Sequence, residues 1–588
     1  MTNMTAIKPH QTERNNLIGK TVAGYQAWFR ASRDLDQGWH HWSPGRAPEP
    51  GAVHFEVFPD LSEYPEGVMY DTRLGKYLDG TPVRVYQAHE PEVIDVHFSW
   101  MQKYGVDGVG VQRFYTTTSI EEQPEPHHLT AVKNAAEKYE RIFYVMYDMS
   151  GCGRDDMKVV TRIQGDVIHN VENKGLTASE AYAHANGKPV ICIWGLAGTE
   201  PGRYPISAAA IELIKWLKER GYFIIGGFPD NNWTKVTDEY AEVYRLVDMA
   251  SPWTPGRYRM ESVEQWLTTN IKIDQEYCEK HGIIYQPVMF PGFAWCNFNT
   301  GNPNAIPREA GNFLWKQAKL YGEAGVRNAY FAMFDEYDEG TAIMKAASDS
   351  FMLPAGSQYF QTLAVDGYWL SSDFYLRLAG YITSYLRQEA EITEEVPVEH
   401  SNGPVFWRNG FEKRLASVRL TKNENRIPIL ANIDICDNGA AIYYQNNIQL
   451  EAAAVVEGAA GDICYSGQNA FAFSGIAMTK VCCEIFYKIA NAKIKVDRPM
   501  TIRYMLKAMD SSGCFVGVDL LFEDGTKFSD ISPEVLDTHG EIGKWCQVSY
   551  DISTATGKTI KAILLAYSRV GEGFYSAYVD DIEIFEHN

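Results

Sequence analysis

No run of about 20 apolar residues occurs in the chain, which excludes an ordinary membrane-spanning helix. Residues 1–19 are polar and lack the apolar core of a secretory signal. The expectation is a cytoplasmic protein if that N-terminus is native, and a periplasmic or secreted one if a signal was removed. The ten cysteines, at 152, 192, 278, 296, 436, 464, 482, 483, 514 and 546, show no paired metal-ligand spacing. Several lie in apolar runs, such as Cys192 in VICIW, and read as reduced, buried thiols. Positive charge is scarce: 54 Lys and Arg against 75 Asp and Glu leave a net charge of −21. Such a chain repels nucleic acid and anionic membrane surfaces, while a neutral partner feels no such repulsion. No glycine-rich phosphate fingerprint follows the first strand candidate, so an open nucleotide-binding sheet lacks support. Internal repeats and low-complexity tracts are missing too.

The 588 residues are too many for one domain. Aromatic residues reach 13%, with 14 Trp and 35 Tyr, which fits either large cores or stacking on sugar rings. From 20 to 350, apolar runs alternate with amphipathic stretches. The runs at 21–29, 108–114, 141–148, 189–195, 222–228, 246–251, 283–290 and 327–334 predict strands. Those at 92–104, 128–140, 206–220, 261–280 and 308–323 predict helices. Eight strands alternating with helices predict a (β/α)₈ barrel. Residues 351–429 read as a loop, a helix and a turn-rich linker (392–404) packed on the barrel. From 430 to 588 the apolar period is two, which predicts an all-β sandwich or jelly roll resembling a carbohydrate-binding module.

Barrel active sites lie at the C-terminal strand ends. The densest such cluster is FDEYDEGTAI, Phe334 to Ile343, where Asp335, Glu336, Asp338 and Glu339 stand together. Crowded carboxylates repel one another and raise each other's pKa, as a general acid beside a base requires. Alternatively the quartet is a solvated acidic loop or a cation site. On a helical turn Glu336 and Glu339 would share a face. Other strand-end candidates for substrate contact are Trp28, Trp42, Arg113, Asp148, Trp194, Asp230, Trp253, Arg257, Trp295, Asn297 and Asp335. The tryptophans are stacking platforms or core; Arg113 and Asp148 bind hydroxyls or close the barrel through ion pairs. In the sandwich, Tyr443, Tyr444, Tyr465, Phe574 and Tyr575 read as exposed aromatics, and Trp545 as part of a half-buried strand. Asp580 and Asp581 read as a solvated strand end or a structural calcium site.

Several stretches carry a family resemblance: GYQAWF at 24–29, GWHHW at 38–42, HFSWMQKYGVDGVGVQRF at 97–114, YDMSG at 147–151, PWTPGRY at 252–258, PVMFPGFAWCN at 287–297, IPREAGNFLWKQ at 306–317 and AMFDEYDEGTAI at 332–343. With them the barrel resembles glycoside hydrolase families 71 and 99, more closely family 99, the endo-α-mannosidase family. It departs at QAWF, where that family tends to a Tyr-rich aromatic run. The resemblance implies hydrolysis of an α-mannoside or related α-glycan by the E-x-x-E pair Glu336 and Glu339, with no cofactor or catalytic metal. It further implies retention through the substrate's 2-hydroxyl, Glu336 acting as base and Glu339 as general acid. An inverting α-glucanase of the family 71 kind and a non-catalytic glycan-binding protein are the alternatives.

Overall fold

The structure, a computed structural model, describes residues 14–118, 127–153, 158–198, 200, 203–235, 238–356, 358–412, 418–419, 427 and 441–587. The polar segment through residue 13, Cys436, and residues 430–440, where the sandwich is expected to begin, lie outside the described residues.

Eight parallel strand positions form the barrel: β1 (Thr21–Tyr25), β2 (Gly108–Phe114), β3 (Ile142–Asp148), β4 (Lys188–Trp194), β5 (Phe223–Phe228), β6 (Met249–Pro252), β7 (Ile284–Tyr285 with Val288–Met289) and β8 (Ala329–Phe331). Their residues are nearly all buried, which is why they read as continuous apolar runs rather than alternating ones. β7 closes the ring. Its first half pairs with β6 (Ile284 with Met249), and its second half pairs with β8 (Val288 with Tyr330). The expected single strand over 283–290 is interrupted at Gln286 and Pro287, where proline supplies no N–H to a ladder.

β1 is shorter than the expected 21–29. After Tyr25 the backbone N–H groups of Gln26 and Ala27 donate to the two oxygens of Asp335, each at 2.8 Å, instead of to a neighbouring strand. Gly24 is required inside the barrel, since a Cβ there would lie 2.0 Å from Met333 Cε.

The ring of helices comprises α1 (Pro91–Tyr104), α2 (His127–Lys138), α3 (Lys158–Asp166), α4 (Ser207–Glu219), α5 (Ala241–Leu246), α6 (Lys272–His281), α7 (Asn312–Glu323) and α8 (Phe374–Leu386). α8, in the stretch after β8, packs against both α7 and α1 and completes the ring. The approach is close: a Cβ on Gly380 of α8 would lie 1.7 Å from the Tyr104 carbonyl oxygen. No described helix is long and apolar enough to cross a membrane.

The C-terminal part is a β-sandwich, and no α-helix follows Leu386 among the described residues. One sheet runs in the order Ile448–Glu457, Asn469–Ala477, Gly573–Glu586, Met500–Ala508, Trp545–Asp551. The other runs Ala441–Asn446, Cys482–Lys495, Thr559–Val570, Val516–Phe522. Alternate residues such as Ile485 and Tyr487, or Ile563 and Leu565, face the shared core, which is the period of two read from the sequence. Asp349, after β8, ties this module to the barrel: its carboxylate accepts from Trp369 Nε1 at 2.7 Å and from the Arg408 guanidinium at 3.1 Å. Trp369 packs in the sandwich's apolar cluster.

Two expectations for the sandwich are corrected. Tyr575 is buried, stacked on Tyr567 with centroids 4.0 Å apart, whereas Tyr443, Tyr444 and Tyr465 are exposed. Asp580 is not a solvated strand end but a buried residue within the last strand. Its oxygens accept backbone N–H groups of Asp581 (2.8 Å), Tyr465 (2.9 Å) and Ser466 (3.3 Å). Among the described residues no group of three or more His, Cys, Asp or Glu is arranged to hold a metal ion.

Candidate active site

The acidic quartet lies immediately beyond β8 at the C-terminal mouth of the barrel. The segment is a series of turns, not the helical turn expected, so Glu336 and Glu339 do not share a helix face. The turn is closed by the Glu336 carbonyl, which accepts the N–H groups of Thr341 (3.1 Å) and Ala342 (3.0 Å). Arg308, fully enclosed, clamps it from behind by donating to the carbonyls of Gly340 (2.8 Å) and Ala342 (2.9 Å).

The four carboxyl groups have different surroundings. Asp335 is the staple on the β1 end, and burial raises its pKa to about 7. Glu336 is buried and accepts hydrogen bonds from Gln26 Nε2 at 3.0 Å and from the Thr341 hydroxyl. Burial, then repulsion from Glu339 and Asp338, lifts its pKa well above the usual carboxylate range. Glu339 is partly exposed, and burial followed by the Asp338 charge raises its pKa to about 8. Asp338 is fully buried; one oxygen pairs with His41 Nδ1 at 2.7 Å and the other has no protein partner. Two carboxyl groups that repel each other this strongly lose their protons in two separate steps. The pair therefore holds a proton at neutral pH. The bonds from Thr341 and Gln26 favour the charged form of Glu336, while the larger effects, burial and the Glu339 and Asp338 charges, oppose it.

The other candidates divide. Trp28 stands at the rim with His41 stacked on it at 3.8 Å and Phe114 at 5.6 Å, and its buried Nε1 has no partner. Trp194 and Trp253 meet edge to face at 5.8 Å beside an inner recess. Trp295 is half-buried near Phe293 and Phe298. Asp148 is buried, accepts from Gln112 Nε2 (2.9 Å) and the Ser150 N–H (2.8 Å), and has its pKa raised by burial. Asp230 is half-buried at the end of β5.

Four candidates are engaged elsewhere. Trp42 is fully buried among Phe29, Phe55 and Tyr86, and its Nε1 donates to the Tyr86 carbonyl at 3.0 Å, so no face is left for a ligand. Arg113 forms a buried ion pair with Asp166, which Tyr147 and Asn170 also contact at 2.7 Å. Arg257 donates to the Pro229 carbonyl. Asn297 joins two loops by donating to the carbonyls of Phe55 (2.9 Å) and Tyr359 (3.0 Å). Sequence reasoning missed Gln26, Gln286 and His41's pairing with Asp338. Glutamines inside apolar strand runs, as in GYQAWF and IIYQPVMF, were the available signal.

No family model matches the chain, and no curated protein matches it. Solved structures do. The GH99 endo-alpha-mannosidase from Bacteroides thetaiotaomicron is 17% identical over 63% of this chain and 98% of its own, with a TM-score of 0.46. A glycoside hydrolase-like protein is 15% identical over 58% of this chain and 97% of its own, with a TM-score of 0.37. The glycoside hydrolase domain of Endo-D from Streptococcus pneumoniae R6 is 11% identical over 100% of this chain and 82% of its own, with a TM-score of 0.30.

Proposed function

We propose that the protein is a glycoside hydrolase that cleaves an α-mannoside or related α-glycan with Glu336 and Glu339. One observation carries this reading: two carboxyl groups stand on one turn beyond β8, both raised in pKa, and only Glu336 accepts bonds that favour its anion. Glycoside cleavage needs such an unequal pair, one member to protonate the leaving oxygen and the other to activate the attacking group.

In the mechanism that the family 99 resemblance implies, Glu336 takes the proton of the substrate's 2-hydroxyl. The freed oxygen attacks the anomeric carbon, the glycosidic C–O bond breaks, and Glu339 protonates the departing oxygen. Water then opens the anhydro-sugar with the two residues in reversed roles, and the anomeric configuration is retained. Unpartnered polar atoms around the mouth, Gln26 Oε1, Trp28 Nε1, Gln112 Oε1 and Asp338 Oδ1, suit a ligand rich in hydroxyls.

The test is digestion of a panel of α-mannans and α-glucans by the full chain, with Glu339→Gln as control and NMR of the first-formed anomer. Cleavage with retention, lost in the variant, is expected. An inverted product moves the assignment to the water-activating mechanism, and no cleavage of any α-glycan overturns it.

A further inference from the structure

Between β7 and α7 the chain makes a closed loop beside the acidic turn. Its neck is the pair Phe293 and Ile306, which exchange backbone hydrogen bonds of 3.0 and 2.8 Å. The loop contains no helix or strand of its own, and one side chain from far back in the sequence holds its interior. Glu56 is fully buried; one carboxylate oxygen accepts the Cys296 N–H at 2.6 Å and the other accepts the Asn304 N–H at 2.7 Å. An ionised carboxylate only accepts, so it serves both N–H groups at once, whereas an amide would turn a donor towards one of them. The Asn304 side chain is fixed in turn, its Nδ2 donating to Asp366 at 2.9 Å.

Glu56 is also tied to the acidic turn itself. Its backbone N–H and that of Val57 donate to the Tyr337 carbonyl, each at 3.3 Å. The loop returns to the same turn two residues further on: the Ala294 N–H donates to the Glu339 carbonyl at 2.8 Å. The contact is close, since a Cβ on Gly340 would lie 2.7 Å from Ala294 Cβ. Tyr337 and Glu339 are thus gripped on either side of Asp338, one by the Glu56 backbone and the other by the loop that the Glu56 carboxylate holds. Phe298, inside the loop, meets His54 edge to face at 5.0 Å and lies 6.1 Å from His41, the partner of Asp338.

We propose that Glu56 is a positioning residue for the reaction: its carboxylate sets the loop 293–306 and, through the Ala294–Glu339 bond, fixes where Glu339 stands when it protonates the leaving oxygen. Glu56 acts through backbone hydrogen bonds alone. A displacement of about 1 Å in a reacting group can cost about 10²-fold in rate, so a brace of this kind is part of the catalytic geometry. The proposal deepens the hydrolase reading and rests on it for the role of Glu339.

Hydrogen–deuterium exchange of the full chain, read by mass spectrometry, and kinetics with two kinds of leaving group test it. In wild type the peptide spanning 293–306 should exchange as slowly as β2, although it holds no strand; this arm needs no variant. Glu56→Gln, which keeps the shape, should speed exchange about tenfold or more at 293–306 and at 335–342 together, with β2 unchanged. On an α-mannan or α-glucan that wild type cleaves, the variant's kcat should fall about tenfold or more. On the matching disaccharide α-fluoride, mannobiosyl or maltosyl, it should fall less than about threefold, because fluoride departs with little need of a proton from Glu339. A mere loss of folded enzyme would lower both rates alike. That outcome overturns the proposal, as do fast exchange of 293–306 in wild type and unchanged kcat on both substrates. If Glu56→Gln does not fold, Glu56→Asp, which keeps both acceptors and withdraws them by one methylene, takes its place under the same criteria. Coupled exchange with no α-glycan cleaved by wild type sinks the hydrolase reading alone. Cleavage with exchange at 335–342 indifferent to the variant sinks the positioning role alone.

Discussion

His41 Nδ1 lies 2.7 Å from Asp338 Oδ2 while its imidazole rests flat on the Trp28 indole, with centroids 3.8 Å apart. The β1 loop is thus fastened to the acidic turn through the one carboxylate whose charge raises both glutamates. Asp338→Asn keeps the shape and removes the charge. Glu339 should then release its proton at lower pH, and the alkaline limb of the kcat/KM profile should move towards acid. A profile measured on any cleaved glycan that fails to move would show that Asp338 does not tune the pair.

Replacing Glu336 or Glu339 by Gln should lower kcat by at least about 10³, since a positioned acid or base typically contributes 10²–10⁴. Single-turnover rates on the cleaved glycan decide. Near-normal rates in both variants would remove the pair from the reaction.

The same carboxyl group should burden the fold. Glu339 has a folded-state pKa of about 8, above its unfolded value. Its contribution to stability is therefore fully present below the unfolded pKa and lost as pH rises through about 8. Glu339→Gln should melt close to wild type at pH ~5 and above it at pH ~9. Parallel melting curves across that range would contradict the raised pKa.

The tryptophans should separate by readout. Trp42→Ala should cost about 3–5 kcal/mol of stability, the usual penalty for emptying a large core site. Trp253→Ala, half-buried and packed against the barrel core beside the recess, should cost less stability than Trp42→Ala and raise KM. Thermal melts and steady-state kinetics on the two variants make the comparison.

Much of this fold is legible without coordinates. Gly108–Phe114 forms a strand where the apolar run GVGVQRF predicts one, because a strand buried on both faces must be continuously apolar. The helix Lys158–Asp166 was readable too, from Val159, Val160 and Ile163 at helical spacing, though it is not among the stretches picked out above. What local sequence cannot show is a partner 308 or 309 residues away: Asp335 takes the N–H groups that would have extended β1. Pro287 breaks β7 although its flanks read as one run. At the site, the E-x-x-E pair is legible as a motif, but its turn geometry is fixed by Arg308, distant in sequence. Trp42 and Tyr575 have the same residue types as binding aromatics, and only packing reveals them as core.

α8 comes after Trp369 in the chain, and Trp369 belongs to the sandwich's core while α8 belongs to the barrel's ring. Any cut that frees the barrel at about residue 350 discards the helix packed against α7 and α1, and a cut after α8 strips the cover from Trp369. The two modules are interleaved in the chain order, so neither can be exchanged as a cassette. A recombination event or a cloning primer that respects only the apparent linker would deliver two broken halves.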